Sequence, residues 1–329
     1  MKVVIATKIH RSGLELLQNQ GFEVSIYRAG RIPVFNWLCQ ELSDADALVI
    51  TPIHRIDKRV LECARKLKII VLHGSGYENI DLEACYKRGI CVTRVAIPIA
   101  KAVAEYIIAL ALAMLRNIIS ADRYVREGYW STGPAPRELL SSSLWNKTIG
   151  IIGMGRIGVC IAKLFKSFDT RILYWNRRRK IELELALGIE FRDLDELLRE
   201  SDIVVICIAL TKDTFHLINE EKLRLMKKNA ILINASRGAV IDAQALVKAL
   251  RNNWIAGAAL DVFEQEPLPP NNPLLTLNNV ILTPHIAGYT IEAMADTSIL
   301  VAKEIINFLI HKKAPTDPLT TEICKQHNK

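Results

Sequence analysis

Three polar residues follow apolar, strand-like runs in the second half of the chain. Arg237 lies in "NASRGAVID", Glu266 in "ALDVFEQEP" and His285 in "ILTPHIAG". An arginine can bind a carboxylate with two hydrogen bonds, a histidine can donate a proton to a carbonyl, and a glutamate can orient that histidine and stabilise its charged form. Ligands of open α/β sheets bind outside the carboxyl ends of the strands, so we expect these side chains to converge there. The set suits acid–base chemistry on a carbonyl compound that carries a carboxylate.

A second acidic residue, Glu264, is an alternative partner for the histidine. It lies two residues before Glu266 in the same segment. The position of Glu266 directly before Pro267 favours Glu266 as the partner. Either carboxylate is otherwise a surface charge ahead of the turn "PLPP".

A glycine-rich segment lies between a strand-like run and a helix-like run. "GMGRIG", residues 153–158, follows "TIGII" and opens the helical pattern "VCIAKLFKSF". Gly153 permits a tight turn, Gly155 lets the backbone approach a pyrophosphate, and Gly158 lets the helix pack closely on the strand. The amides of Arg156 and Ile157 would then lie at a helix N-terminus, which binds anions. The context predicts a dinucleotide site.

A basic run follows the next strand-like segment, in "YWNRRRK". Many dinucleotide-binding domains carry an acidic residue here for the ribose 2′-hydroxyl, whereas this chain has the neutral Asn176. Arg177 and Arg178, followed by Arg179 and Lys180, supply the positive charge that a 2′-phosphate requires. We therefore predict a preference for NADP(H), with NAD(H) as a possible substitute. The alternative is that part of the run is a solvated surface.

Composition narrows the class of protein. The chain has 329 residues, of which 50% are apolar and 24% charged, as in globular proteins. The apolar run from Tyr106 to Leu115 is about half of the roughly 20 residues that a bilayer requires, and Arg116 ends it. The N-terminus shows no signal peptide. We expect a cytoplasmic protein without a membrane span.

Cysteine and charge patterns restrict the partners. The seven cysteines are scattered and form no C-x-x-C pair, so reduced core thiols are expected and no metal site is predicted. The net charge of +8 suits nucleic acids, anionic membranes or small anions. Because no basic block is interleaved with aromatic residues, nucleic acid is not expected. Small anionic substrates are favoured.

The chain alternates strand-like and helix-like segments in two series. The first covers residues 1–95 and the second starts near residue 147 and ends near 285. Between them lie a long apolar helix, predicted over 100–118, and a polar segment, 119–146, with Pro134 and Pro136. Another helix is predicted over 291–311, before a polar tail. Such alternation predicts two parallel sheets, each covered by helices on both faces.

The sequence resembles the D-isomer-specific 2-hydroxyacid dehydrogenase family over roughly residues 1–315. The resemblance depends on "GMGRIG", "NASRGAVID", "DVFEQEP" and "TPHIAG" in this order, and on "GSGYENIDLEACYKRGICVT" in the first series. Within the family the chain is most similar to archaeal-type glyoxylate and hydroxypyruvate reductases, through "RILYWNRRRK", "INEEKLRLMK" and "LDVFEQEP". These motifs together are highly specific.

The resemblance implies an α/β fold of two doubly wound parallel-sheet domains. A Rossmann nucleotide domain, residues 99–289, would be inserted into a flavodoxin-like substrate domain, residues 1–98 and 290–329. It also implies a homodimer, in which Tyr129, Trp130 and Trp145 of the 119–146 segment would lie at the interface. Packing of these aromatic residues within one chain is the alternative.

The resemblance implies roles for individual residues. Arg237 would bind the carboxylate and keto oxygen of the substrate, and His285 would be the acid–base residue, paired with Glu266. In the first domain, the backbone amides of Ser75 and Gly76 would receive the substrate carboxylate. The other implied contacts are all to the cofactor: Asp261 on the nicotinamide carboxamide, Ala235 and Ser236 beside the ring, and Thr214, His285, Ala287 and Gly288.

Two features depart from the family pattern. Ala209 stands where the family usually has proline. Pro52, Ile53 and His54 replace the arginine and serine that the phosphoglycerate-oxidising branch uses for a phosphate. His54 and His73 flank the presumed substrate loop, and each either contacts substrate or only satisfies local backbone groups.

We therefore expect an NAD(P)H-dependent reductase that converts small 2-oxo acids, of the glyoxylate and hydroxypyruvate type, to D-2-hydroxy acids. One alternative is a D-3-phosphoglycerate dehydrogenase without a regulatory domain. Another, from a different class, is a dinucleotide-sensing interaction protein similar to a transcriptional co-repressor of this scaffold.

Overall fold

The computed structural model describes residues 1–30, 33–131 and 133–326. The chain forms two compact units. One consists of Met1–Ile99 with Tyr289–Lys329, and the other of Ala100–Gly288.

The first unit is built on a five-stranded parallel sheet with the strand order β2-β1-β3-β4-β5. This is the flavodoxin-like order. Its strands and helices, in chain order, are β1 (Lys2–Ile5), α1 (Arg11–Asn19), β2 (Glu23–Ile26), α2 (Phe35–Leu42), β3 (Ala47–Ile50), α3 (Lys58–Cys63), β4 (Ile69–His73), α4 (Leu82–Lys87) and β5 (Cys91–Val95).

Both faces of this sheet are buried. Successive side chains of a strand point to opposite faces, and adjacent residues of β3 accordingly belong to different apolar clusters. Leu48 packs in the cluster that contains α2 and α3, whereas Val49 packs in the cluster that contains Leu17 of α1. This is the arrangement expected for strands that read as continuous apolar runs.

Two helices connect the sheets, namely α5 (Ile97–Leu115) and α6 (Ile118–Arg126). Among the described residues, α5 is long and apolar enough to cross a membrane, but core helices of other proteins pass the same test. Its buried residues Ala104, Ile107 and Ala111 recur at helical spacing. Helix α6 occupies part of the segment predicted to be polar and rich in turns.

The second unit contains a seven-stranded parallel sheet with the order β12-β11-β10-β9-β6-β7-β8. This is the Rossmann order with one additional strand. Its elements are β6 (Thr148–Ile152), α7 (Arg156–Lys166), β7 (Arg171–Trp175), α8 (Ile181–Leu187), β8 (Glu190–Phe191), α9 (Leu194–Glu200), β9 (Ile203–Ile206), α10 (Glu220–Leu225), β10 (Ile231–Asn234), α11 (Ala243–Arg251), β11 (Gly257–Leu260) and β12 (Val280–Leu282). The predicted fold class is confirmed.

The chain ends with α12 (Ile291–Leu309) and α13 (Thr321–Gln326), both in the first unit. The residues between them belong to the predicted polar tail. Pro318 pairs antiparallel with Thr93 of β5, and the amide of Leu319 donates to the carbonyl of Val92 at 2.7 Å. The tail therefore covers an otherwise exposed sheet edge.

The prediction that all cysteines are reduced is wrong for four of the seven. Cys39 of α2 is bonded to Cys63 of α3, and Cys91 of β5 is bonded to Cys324 of α13. The partners are 24 and 233 residues apart in the chain, so their spacing carried no signal. Only the packing of α2 on α3, and of α13 on β5, brings the sulfur atoms together.

Candidate active site

His285 lies in a tight turn directly after β12. Its backbone has a φ of 57°, in the left-handed region that residues other than glycine seldom adopt. The turn is held by Asp261, a fully buried carboxylate after β11. The Oδ1 atom of Asp261 accepts hydrogen bonds from the Thr283 hydroxyl at 2.6 Å and the Ile286 amide at 3.0 Å, and Oδ2 accepts one from the Ala287 amide at 2.8 Å. Asp261 thus fixes the backbone on which the imidazole is carried.

Glu266, and not Glu264, is the carboxylate that contacts His285. The distance between Nδ1 of His285 and Oε2 of Glu266 is 2.7 Å. The other oxygen, Oε1, accepts a hydrogen bond from the Phe263 amide at 3.1 Å. A carboxylate bonded at Nδ1 fixes the orientation of the ring and leaves Nε2 available to exchange a proton with a bound molecule.

Burial raises the pKa of Glu266, but the other effects on this carboxyl outweigh it. Hydrogen bonds from His285 and from the Phe263 amide, and the charges of His285 and Arg237, lower the pKa, which lies below the ordinary value. The carboxylate therefore stays ionised beside the imidazole.

Arg237 follows β10, the neighbour of β11 in the sheet. Its backbone carbonyl accepts a hydrogen bond from the Asn234 side chain at 2.9 Å, and its Nη1 donates to the Ser236 carbonyl at 2.7 Å. A Cβ on Gly238 would lie 1.9 Å from the backbone of Phe263, so the loops after β10 and β11 touch through this glycine. The strand order β12-β11-β10 thus brings the loops of His285, Glu266 and Arg237 side by side.

Glu264 has a different partner. Its Oε1 is 2.7 Å from Nε2 of His216 and accepts a hydrogen bond from the Ala243 amide at 3.2 Å. This contact ties the loop after β11 to the start of α11. The sequence did not single out His216, because the positive φ of 49° that places it there is not visible in a residue pattern.

The glycine loop has the geometry that the motif predicts. Gly153 has a φ of +104°, and a Cβ there would lie 2.6 Å from the carbonyl of Cys207. A Cβ on Gly158 would lie 2.3 Å from the carbonyl of Gly153, so the first turn of α7 approaches the loop closely. Gly155, by contrast, faces open space, with no atom within 4 Å of such a Cβ. Open space beside the amides of Arg156 and Ile157 at the start of α7 fits a pyrophosphate.

The basic run after β7 divides into two pairs. Arg179 forms an ion pair with Glu184 at 2.7 Å, and Lys180 Nζ donates to the carbonyl of Met154, inside the glycine loop, at 2.8 Å. The side chains of Arg177 and Arg178 are exposed and make no hydrogen bond or ion pair with a described residue. Asn176 donates to the Arg178 carbonyl at 2.9 Å and so shapes this turn. Two arginines thus remain available for an anion, and Lys180 adds charge next to the loop.

The remaining predicted cofactor contacts lie at the ends of the same strands. Thr214 is buried, and its hydroxyl donates to the Ala209 carbonyl at 2.7 Å and accepts from the Thr211 amide at 2.7 Å. Ser236 donates to the Asn234 side chain at 2.8 Å. Ala235 and Gly288 are half-buried and Ala287 is buried. No group of three metal-ligating side chains occurs among the described residues.

Ser75 and Gly76 belong to the other compact unit, in the loop that follows β4. The loop starts at Gly74, whose φ is +146° and whose amide donates to the Val95 carbonyl at 3.1 Å. Ser75 is half-buried and Gly76 is buried.

The two histidines that flank this loop are buried and contact polar groups nearby. His54 Nδ1 accepts a hydrogen bond from the Thr51 amide at 3.0 Å, and His73 Nε2 is 3.2 Å from the Ser298 hydroxyl. Burial lowers the pKa of both histidines, so their rings are neutral. Nε2 of His54 is buried and has no hydrogen-bond partner among the described residues.

Comparison with known proteins identifies the family of this chain. Residues 108–287 match the model of the D-isomer specific 2-hydroxyacid dehydrogenase NAD binding domain. A glyoxylate reductase of Pyrococcus horikoshii is 47% identical over 318 residues, which cover 96% of this chain and 95% of that protein. The chain belongs to the D-isomer specific 2-hydroxyacid dehydrogenase family. The resemblance drawn from the motifs is confirmed.

Solved structures agree with the family assignment. A protein from Thermus thermophilus superposes with a TM-score of 0.90 at 36% identity, covering 97% of this chain and all of that one. An NADPH-dependent glyoxylate/hydroxypyruvate reductase from Sinorhizobium meliloti, in complex with NADP and malonate, has a TM-score of 0.85 at 29% identity, covering 97% of both chains. As a 2-hydroxyacid dehydrogenase this protein is an oxidoreductase that uses a nicotinamide dinucleotide, as the sequence predicted.

Proposed function

We propose that this 2-hydroxyacid dehydrogenase reduces glyoxylate, hydroxypyruvate or a similarly small 2-oxo acid to the D-2-hydroxy acid. The observation that carries the proposal is the 2.7 Å contact between His285 and Glu266 at the ends of adjacent strands, with Arg237 close enough to lower the pKa of that carboxyl. The relative from Pyrococcus horikoshii is named glyoxylate reductase, and the neighbour from Sinorhizobium meliloti acts on both compounds by its name.

The chemistry follows from the residue types. The cofactor, when bound as a reduced nicotinamide, would supply the hydride that the keto carbon accepts. His285 donates the proton that the keto oxygen then requires, and Glu266 holds the ring in position and stabilises its charge before transfer. Arg237 binds the substrate carboxylate and the keto oxygen, and the amides of Ser75 and Gly76 receive the carboxylate. In the reverse direction His285 accepts the hydroxyl proton.

The residues of the glycine loop fit a dinucleotide. Gly155 leaves space for it, and the amides of Arg156 and Ile157 would hold the pyrophosphate at the start of α7. We propose that Arg177 and Arg178 bind a 2′-phosphate, so that NADP(H) is preferred and NAD(H) is used less well. Thr214, Ala235, Ser236, Asp261, Ala287 and Gly288 complete the proposed cofactor contacts.

We propose one role for each of the two compact units, namely cofactor binding and substrate binding. Residues 99–289 form the proposed nucleotide domain, and residues 1–98 with 290–329 form the proposed substrate domain. A homodimer is proposed through the 119–146 segment, where the side chains of Tyr129, Trp130 and Trp145 are more than half exposed.

We propose that the protein is cytoplasmic. Disulfide bonds are rare in intracellular proteins, except in those of hyperthermophiles. Two such bonds in a cytoplasmic protein are therefore typical of a hyperthermophilic source.

A substrate and cofactor screen tests the proposal. Glyoxylate, hydroxypyruvate, pyruvate and phosphohydroxypyruvate are each mixed with NADPH or NADH, and the loss of absorbance of the reduced nicotinamide is followed. We expect the highest kcat/KM with NADPH and glyoxylate or hydroxypyruvate. A preference for phosphohydroxypyruvate and NADH would instead indicate a phosphoglycerate dehydrogenase. Tight NADPH binding without turnover of any of these acids would favour a dinucleotide-sensing interaction protein.

A further inference from the structure

An arginine that the motif analysis did not consider contacts the proposed substrate loop, residues 74–77. Arg94 lies on β5, next to β4, and its Nη1 donates to the carbonyl oxygen of Ser75 at 3.1 Å. Its guanidinium carbon also lies 5.4 Å from the centre of the Tyr77 ring, within the range of a cation–π contact. One side chain thus contacts two residues of the loop.

The arginine is itself anchored. Its Nε donates to Oδ2 of Asp317 at 2.8 Å, and both side chains are about three-quarters buried, with 25% and 21% exposed. Asp317 belongs to the segment that pairs with β5, and its backbone carbonyl accepts a hydrogen bond from the Thr93 hydroxyl at 3.0 Å. The guanidinium therefore cannot leave Ser75 without losing a partly buried, charge-assisted hydrogen bond.

The contact with Ser75 orients a second atom of the same peptide unit. The bond between Ser75 and Gly76 is trans, and in a planar trans peptide the C=O and N–H groups point in opposite directions. When Arg94 holds the Ser75 oxygen, it also fixes the direction of the Gly76 N–H, which faces away from Arg94. A positive charge at the oxygen further polarises the peptide and makes this N–H a stronger donor.

We propose that Arg94 is a positioning residue for substrate binding, which acts by aiming and polarising the Gly76 amide. The inference rests on the proposed function, in which that amide receives the carboxylate of the 2-oxo acid. Asp317 of the C-terminal segment completes the device by holding the guanidinium in place.

The test compares the wild-type enzyme with Arg94→Met, Arg94→Lys and Asp317→Asn. The matched control is Arg88→Met, which removes another arginine that donates to a backbone carbonyl of this unit, that of Ala64 at 2.9 Å, outside the substrate loop. For each variant we measure KM and kcat for glyoxylate and hydroxypyruvate, the Ki of oxamate as an inert analogue, the Kd of NADPH and the Tm.

For Arg94→Met we expect KM and the oxamate Ki to rise about tenfold, the amount that one charge-assisted hydrogen bond supports. The rise should be the same for both substrates, because each presents the same carboxylate. The kcat should change less than about threefold and the Kd of NADPH should not change, since hydride transfer and cofactor binding use other residues. Arg94→Lys keeps the charge but lacks the planar guanidinium group, so its KM should lie between those of the wild-type enzyme and Arg94→Met. Asp317→Asn should raise KM in the same direction by a smaller factor.

The outcomes separate this inference from the proposed function. A wild-type enzyme that reduces glyoxylate, together with an Arg94→Met enzyme of unchanged KM and Ki, would overturn the role of Arg94 alone. A fall in Tm shared with Arg88→Met, without a change in KM, would likewise assign Arg94 to stability only. A wild-type protein that binds NADPH but reduces none of the acids would overturn both.

Discussion

His285 is held from two sides. Asp261 fixes its backbone through the Thr283, Ile286 and Ala287 contacts, and Glu266 fixes its ring at 2.7 Å. A residue with a strained backbone keeps that conformation only when its surroundings determine it, and such residues cluster at functional sites. The left-handed φ of His285 is therefore consistent with a catalytic role.

The lowered pKa of Glu266 predicts the shape of the pH profile. A carboxyl group with a depressed pKa stays ionised above that pKa, and its favourable pairing is lost only as the pH falls through the depressed value. Reductive kcat/KM should therefore be maintained to below about pH 4.3, the ordinary glutamate value. Stopped-flow rates from about pH 3 to pH 8 follow this acid limb, and a loss of kcat/KM that begins well above about pH 4.3 would contradict the lowered pKa of Glu266.

Glu266→Gln removes the charge and keeps the shape of the side chain. We expect kcat to fall about 100-fold or more, the scale of acid–base catalysis by one positioned group, while the Kd of NADPH stays constant. Glu264→Gln makes the same chemical change two residues away, in a side chain that contacts His216 instead. Equal losses of kcat in the two variants would contradict the assignment of Glu266.

The free pair of arginines predicts cofactor choice. Replacing Arg177 and Arg178 by serine should raise KM for NADPH about 10- to 100-fold, equivalent to about 1.4–2.8 kcal/mol for the two contacts together, because solvent weakens charge-assisted contacts of exposed side chains with a phosphate. KM for NADH should change less than about twofold, because NADH lacks that phosphate. Arg251→Ser, at the exposed end of α11, is the control. Steady-state kinetics with both cofactors decide, and a parallel rise for NADH would show that the arginines do not recognise the 2′-phosphate.

The turn from β6 into α7 uses its glycines for different reasons. Gly158 allows the helix to approach the carbonyl of Gly153, so its function is packing within the protein. Gly155 meets no protein atom, so a side chain there would obstruct only a bound molecule. Gly158 is therefore required for packing, whereas Gly155 is required for binding.

This difference predicts that alanine at Gly155 affects cofactor binding, whereas alanine at Gly158 affects stability. Gly155→Ala should weaken NADPH binding at least about tenfold without lowering the Tm, because alanine is tolerated by the backbone and collides only with the ligand. Gly158→Ala should lower the free energy of unfolding by about 1–3 kcal/mol, because a methyl group must displace a backbone carbonyl. Fluorescence titration with NADPH and denaturant unfolding measure the two quantities. Loss of stability in Gly155→Ala would show that the loop is not shaped for a ligand.

Two disulfide bonds distinguish this molecule from the reduced protein that its cysteine pattern suggested. The bond between Cys91 and Cys324 is fully buried and joins the C-terminal helix to the sheet, whereas the bond between Cys39 and Cys63 is half-buried. Cys85, Cys160 and Cys207 remain free, and burial raises the pKa of Cys85 to about 12, so this thiol is inert.

The disulfide bond that closes the longer segment of chain should contribute more to stability. A disulfide restricts the unfolded chain, and the restriction grows with the number of residues that it closes, here 233 for Cys91–Cys324 against 24 for Cys39–Cys63. Replacing Cys91 and Cys324 by alanine should lower the free energy of unfolding by about 2–5 kcal/mol, and the Cys39 and Cys63 pair by less. Urea unfolding of both double variants gives the order. Seven titratable thiols in the denatured, unreduced wild-type protein would show that neither bond forms.

The order of residues alone was sufficient for the architecture and for most of the chemistry. Short β-branched runs that alternate with helical patterns predicted two parallel sheets, and "GMGRIG", "SRG", "EQEP" and "TPHIAG" predicted a family that the comparisons confirm. Such features are local, because a turn, a helix start or a buried strand depends on a few neighbouring residues. The two-residue strand β8 and helix α6 were missed, since short or polar elements have little periodicity.

Only the tertiary structure decided which distant groups meet. It decided between Glu266 and Glu264 as the partner of His285, brought Glu264 to His216, placed Asp261 where it holds the histidine turn, and joined Cys91 to Cys324. It also brought Arg94 to the substrate loop. Each of these contacts depends on which strands are adjacent in a sheet and on the backbone angles of a few loop residues, and neither property is encoded by the spacing of residues along the chain.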